Sequence, residues 1–221
     1  MEALIFDMDG LMVDTETLYF EAEKNLARRF GREVKEETLA RMMGRKPLES
    51  LVIFAQELNL DVKPEDLLEM RTAIMKRSLL RNLRPMPGLY TIVNIFSGRL
   101  KLAIATGAQQ EFLDLIVDSL GLRSKFDVLQ ASDEIKEGKP QPEIYLVTCQ
   151  KLGLKPQDCL VLEDSANGVL AARRAGCYVI AVPSPQAKGQ DFSSAHAIAS
   201  DLFAAIPIIE KLLLSANTGP L

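Results

Sequence analysis

The chain has 221 residues, 48% of them hydrophobic and 25% charged, and a formal net charge of −4. That composition fits a soluble globular protein of one large domain or two small ones, and the acidic balance argues against a nucleic-acid-coating role. No apolar run approaches the ~18 residues of a membrane span, and the first residues lack a basic n-region and a cleavage site, so neither a nucleic-acid nor a membrane partner is expected, and the expected location is cytoplasmic. Cys149, Cys159 and Cys177 are odd in number and form no CxxC pair, which reads as free thiols in a reducing compartment. The lone His196 argues against a zinc site and against a Ser-His-Asp triad.

Ala3 to Phe6 reads as a short buried strand that runs directly into Asp7 and Asp9. From Glu16 to Asn82 the pattern is helical. Leu18, Ala22, Leu26 and Phe30 recur at spacing four and stop at Gly31. Leu48, Leu51, Val52, Ala55 and Leu58 mark another helix; Pro64 opens a third, whose face continues through Leu67, Arg71, Ile74, Met75 and Ser78. "RPMPG" (84–88) then punctuates the chain. Beyond it, "KLAIA" (101–105), "DVLQ" (127–130), "CLVLE" (159–163) and "YVIAV" (178–182) read as strands, separated by helical stretches near 109–120, 142–152 and 167–175. Residues 201–214 read as a closing helix with Asp201 as its N-cap. Such alternation predicts an α/β fold: a Rossmann-like parallel sheet core of residues 1–15 and 83–221, with an inserted α-helical cap domain of residues 16–82.

Ligands of parallel α/β sheets bind beyond the carboxyl ends of the strands. The first strand ends on Asp7 and Asp9, the second on Thr106 and Gly107, and the "CLVLE" strand on Glu163 and Asp164; Lys139 lies in the "EGKPQPEIY" loop after the third strand. Two carboxylates ~4 Å apart repel by about 4 kcal/mol at an effective dielectric near 20, so the cluster calls for a cation or a shared proton. All-oxygen ligands without His or Cys favour a hard ion, and Mg²⁺ fits. Lys139 and Thr106 then suit phosphate oxygens. One aspartate can attack phosphorus while the other handles protons.

These residues in this order resemble the haloacid dehalogenase superfamily, in particular its helical-capped phosphatases and β-phosphoglucomutases. "DMDGLMVDTE", "ATG", "GKPQPEIY" and "VLEDSANGVLAARRAG" each match a motif of that family, and the likeness spans essentially the whole chain. The resemblance implies Asp7 as nucleophile and metal ligand. It implies Asp9 as general acid/base, with its backbone carbonyl on Mg²⁺. Thr106 and the Gly107 backbone would bind phosphate, and Lys139 would orient nucleophile and phosphate. Asp164 would ligate the metal, with Glu163 either a further ligand or a group that orients the ligands. It also implies a cap that closes over the site.

The expected activity is Mg²⁺-dependent hydrolysis of a small phosphorylated metabolite, of sugar-phosphate or nucleoside-monophosphate type, by a monomer. Asp9 argues against dehalogenation, since the dehalogenases lack it. Two alternatives stand beside hydrolysis: a β-phosphoglucomutase-type mutase, against which Tyr19 stands where mutases often carry a histidine, and a receiver-like phosphoacceptor module. In the cap, Glu16, Gly44, Arg45 and Lys46 read equally as substrate contacts and as a solvated turn and hinge.

Overall fold

A computed structural model describes residues 1–42, 47–187 and 189–217. The chain forms two compact units, one of Met1–Asp14 with Arg84–Leu221 and one of Thr15–Leu83.

In the first unit, β1 (Ala3–Phe6), β2 (Lys101–Ala105), β3 (Val128–Gln130), β4 (Cys159–Glu163), β5 (Tyr178–Ala181) and β6 (Ala197–Ile198) make a six-stranded sheet in the order β3-β2-β1-β4-β5-β6. Every pairing is parallel. Every residue of β1 and β4 is buried, as expected for central strands covered on both faces. That burial explains their unbroken apolar wording. The strand order reverses between β1 and β4, which are neighbours in register Phe6↔Leu162. Such a switch point opens a crevice at the carboxyl ends of the two strands.

Two elements of this unit escape the sequence reading. Helix Leu89–Phe96 buries Leu89, Ile92, Val93 and Phe96, a helical i, i+3, i+4, i+7 set in a stretch rich in strand-forming residues. β6 has only two residues, too few to show a period. The closing helix, Leu202–Asn217, starts as expected, with Asp201 Oδ1 accepting from the Ala204 amide at 2.8 Å. Cys149, Cys159 and Cys177 are free and buried in one apolar cluster on the sheet. Where the chain leaves this unit and re-enters it, the two segments pair: the Met86 amide donates to the Met12 carbonyl at 2.8 Å, and the Asp14 amide to the Arg84 carbonyl at 3.3 Å. Among the described residues, no helix is long and apolar enough to cross a membrane.

The second unit contains α1 (Thr15–Arg29), α2 (Glu36–Met42), α3 (Pro47–Leu58) and α4 (Pro64–Asn82). α1 buries Leu18, Ala22 and Leu26, the stripe that the spacing predicts. α2 was not expected. α3 turns a different face inward from the one its aliphatic spacing suggests: Leu51, Phe54 and Leu58 are buried, whereas Leu48 and Val52 are 41% and 40% exposed. Phe54 removes the largest apolar surface of the helix from water, and burying an aromatic ring outweighs burying a smaller aliphatic chain.

α4 places Arg71 on its buried stripe, where Nη1 lies 3.2 Å from Glu23 Oε1 of α1. The other Glu23 oxygen is buried without a hydrogen-bond partner. Burial pushes the Glu23 carboxyl above its ordinary range, and Arg71 opposes that push. The folded state thus holds the Glu23 proton more tightly than the unfolded chain. Stability from this proton is full below the unfolded carboxylate pKa and is lost as pH rises through the raised folded value. Arg71→Ala strands the Glu23 charge and is expected to cost about 3–5 kcal/mol at neutral pH, whereas Glu23→Leu/Arg71→Met is expected to be near neutral. Urea midpoints followed by far-UV circular dichroism at neutral pH and near pH 4 check both; the Arg71→Ala deficit should shrink at the lower pH.

Candidate active site

Asp7 follows β1 directly, and its amide donates to the Leu162 carbonyl of β4 at 3.0 Å. The chain then turns tightly, with the Met12 amide on the Met8 carbonyl at 2.9 Å and the Gly10 amide on the Val13 carbonyl at 2.9 Å. Gly10 has φ +80°, and an added Cβ would strike the Asp164 carboxylate, with Cγ at 2.8 Å. This position therefore excludes a side chain twice, by conformation and by space.

At the end of β4, Glu163 and Asp164 are both buried. Glu163 is held from four directions. Its Oε1 accepts from Lys139 Nζ at 2.5 Å and from the Tyr145 hydroxyl at 2.6 Å; its Oε2 accepts from the Ser165 amide at 3.1 Å and the Ser165 hydroxyl at 3.0 Å. Ser165 also caps the following helix, Ala166–Ala175, by accepting from the Gly168 amide at 3.1 Å. A Cβ on Gly168 would overlap the Glu163 carboxylate. One glycine thus makes room for each acidic residue.

Lys139 joins the strands. Its ammonium donates at 2.5 Å to Asp7 Oδ1, at 2.5 Å to Glu163 Oε1 and at 3.3 Å to the Ala105 carbonyl. Thr106 is fully buried; its hydroxyl donates to Asp9 Oδ2 at 3.0 Å and accepts from the Ala108 amide at 3.0 Å. Gly107 is exposed, and a Cβ there would meet nothing within 4 Å. The structure therefore brings Asp7, Asp9, Thr106, Lys139, Glu163 and Asp164 together and sets Gly107 beside them. Glu16 lies in the first turn of α1, but its side chain falls outside the described residues, as do Gly44, Arg45 and Lys46 entirely.

Tyr145, Ser165, Gly10 and Gly168 complete the site and were not singled out from the sequence. The signal for Tyr145 was its place in "KPQPEIY", one turn into a helix that starts just after the lysine. As an apolar-faced tyrosine it reads equally as core.

Burial pushes the Asp7 carboxyl well above the usual carboxylate range; Lys139 opposes this, and Glu163, Asp164 and Asp9 add to it. Burial alone would lower the Lys139 ammonium, but Asp7 and Glu163 hold it well above its ordinary value. Burial and then the Glu163 charge raise the Tyr145 phenol far enough to keep it a neutral donor. Carboxylate oxygens of Asp7, Glu163 and Asp164 lie within 4.8 Å of one another. Several carboxylates around a single ammonium, with oxygen donors only, suit a hard divalent cation. Glu163 already accepts from protein donors on both oxygens, so Asp7 and Asp164 are the better-placed ligands.

The haloacid dehalogenase-like hydrolase profile matches residues 4–182. The chain is 39% identical over 178 residues to the phosphorylated carbohydrates phosphatase of Thermotoga maritima, a match covering 80% of this chain and 82% of that one. It is 33% identical over 180 residues to the fructose-1-phosphate phosphatase of Escherichia coli, covering 81% and 95%. A crystal structure of a candidate β-phosphoglucomutase from Thermotoga maritima superposes with a TM-score of 0.83 at 34% identity, covering 95% of this chain and 99% of that one.

A cation held by Asp7 and Asp164 would stabilise the fold. At about 100 times Kd the linkage is roughly 2.7 kcal/mol, or about 5–10 °C in melting temperature for a chain of this size. Saturating MgCl₂ is expected to raise the melting temperature of the wild-type chain by that amount and to leave Asp164→Asn unmoved, as differential scanning fluorimetry would record.

Proposed function

The chain belongs to the haloacid dehalogenase-like hydrolase family, and from that premise we propose a Mg²⁺-dependent phosphatase that hydrolyses a small phosphorylated metabolite through an aspartyl-phosphate on Asp7. The substrate class is a sugar phosphate, in keeping with the names of the related phosphatases. We place the enzyme in the cytoplasm, as a monomer.

The observation that carries this reading is the division between two aspartates one residue apart. Asp7 is buried and bonded to Lys139, whereas Asp9 is half-buried and bonded to the Thr106 hydroxyl. A carboxylate oxygen of Asp7 attacks phosphorus. As the phosphorus–ester oxygen bond breaks, Asp9 gives its proton to the departing alkoxide. Asp9 then takes a proton from water, whose oxygen attacks the phosphorus of the acyl phosphate, releasing inorganic phosphate and restoring Asp7. Lys139 offsets the negative charge that Asp7 and the phosphoryl oxygens share. Thr106 exchanges its bond to Asp9 for one to a phosphoryl oxygen, beside the amides that follow it. Glu163 anchors Lys139, and Tyr145 and Ser165 keep Glu163 in place. Asp7, Asp164 and the Asp9 carbonyl would hold Mg²⁺, which when bound would supply charge neutralisation on the phosphoryl oxygens.

A second reading, a sugar-phosphate mutase using the same Asp7 chemistry, is favoured by the likeness to a candidate β-phosphoglucomutase. It predicts conversion of β-glucose 1-phosphate to the 6-phosphate without net phosphate release. The receiver-like alternative gives way to the family assignment.

Phosphate release across a panel of sugar and polyol phosphates tests the proposal. Asp7→Asn is expected to abolish turnover, Asp9→Asn to reduce kcat by about 10²–10⁴, and Thr106→Ala to reduce kcat/KM by about 10²–10³. No release from any member of a broad panel with Mg²⁺ present would sink the reading.

A further inference from the structure

The groove between α1 and α4 holds a cavity of about 280 Å³, built wholly from residues of the helical unit. α1 contributes Glu21, Asn25 and Arg29; α4 contributes Arg77, Ser78 and Arg81. Spacings of four along α1 put Glu21, Asn25 and Arg29 on one helical face, and spacings of four and three along α4 set Arg81 beside both Arg77 and Ser78. The walls run about 12 Å, the rise of eight helical residues.

Arg29, Arg77 and Arg81 all line this one open groove; all three are exposed, and none of them has an ion-pair or hydrogen-bond partner among the described residues. Their neighbours behave otherwise. Arg28 donates to Asn25 Oδ1 at 2.9 Å, and Arg71 pairs with Glu23. Arg29 and Arg81 stand in the last turns of their helices, where a cation offsets the partial negative charge of the helix end. That accounts for neither Arg77 nor the convergence of all three on one groove.

We propose that this groove is a second, non-catalytic binding site for a phosphate ester that carries free hydroxyl groups. Planar guanidinium forks match phosphate oxygens, and the Ser78 hydroxyl adds a donor. The Asn25 carbonyl is engaged by Arg28, which leaves its amide N–H groups as further donors. Glu21 disfavours a bare polyanion and accepts from hydroxyls on the organic part of the ligand. The volume lies near the lower end of small-molecule pockets, about 300 Å³, and suits one sugar-sized molecule. No residue of the groove belongs to the acidic site, so the proposal does not depend on the phosphatase reading.

Isothermal titration of fructose 1,6-bisphosphate and inorganic phosphate into the Asp7→Asn/Lys139→Met chain, with EDTA present, isolates the groove from the acidic site. One equivalent of fructose 1,6-bisphosphate is expected to bind at least fivefold more tightly than phosphate. The affinity should fall at least tenfold in Arg77→Ser/Arg81→Ser and by less in Arg77→Lys. Glu21→Gln should narrow the gap between ester and phosphate. The wild-type chain in EDTA gives a second readout, a melting temperature raised by fructose 1,6-bisphosphate but unmoved in Arg77→Ser/Arg81→Ser. Absence of binding, binding indifferent to the arginine substitutions, or equal affinity for ester and phosphate would overturn the proposal.

Discussion

The ammonium of Lys139, shared at 2.5 Å between Asp7 and Glu163, is the interaction on which the rest of the site depends. The sheet order places the ends of β1 and β4 side by side, and each ends on carboxylates. Without a cation between them the sheet would meet like charges at its buried centre, at a cost of about 4 kcal/mol per close pair at an effective dielectric near 20. Lys139 comes from a loop far along the chain, so the charge balance at the head of β1 is set only once the sheet has closed. Tyr145 and Ser165 serve the same arrangement at one remove, since they fix the Glu163 oxygen that Lys139 must reach.

A single ammonium does not neutralise the cluster: burial first, and then the charges of Glu163, Asp164 and Asp9, keep the Asp7 carboxyl raised against the pull of Lys139. Surplus negative charge on oxygen donors alone is chemistry that suits a hard divalent cation. Fold and chemistry meet at this point. A parallel sheet that reverses its order supplies the crevice, and the residues just beyond its strands supply the charge.

Much of this was legible in the sequence. Asp7, Asp9, Thr106, Glu163 and Asp164 follow short apolar runs that read as buried strands of one parallel sheet, so their convergence was expected from the strand ends. Lys139 was legible from its loop. Less legible were residues whose roles lie in shape. Gly10 and Gly168 matter through atoms they lack, and no pattern of hydropathy encodes an absent Cβ. Tyr145 looks like core because it is core, apart from one hydroxyl. The helix Leu89–Phe96 was hidden because its residues favour strands individually, and only the i, i+3, i+4, i+7 placement of its buried members overrides that preference. In α3 the spacing marked the helix but not its inward face, which Phe54 decides.

The three buried cysteines give the sheet-bearing unit an internal clock. Cys149 lies on the helix Glu143–Leu152, Cys159 opens β4 and Cys177 immediately precedes β5, yet all three share one sealed cluster. A thiol reacts only as an accessible thiolate, so alkylation of any of them must wait for that face of the sheet to part. Three chemically similar groups on separate segments then sample the same opening, and their modification rates become equal where the unit opens as a whole and diverge where it frays segment by segment. Natural sulfur atoms thus record, without added labels, whether the scaffold beneath the acidic site breathes as one body.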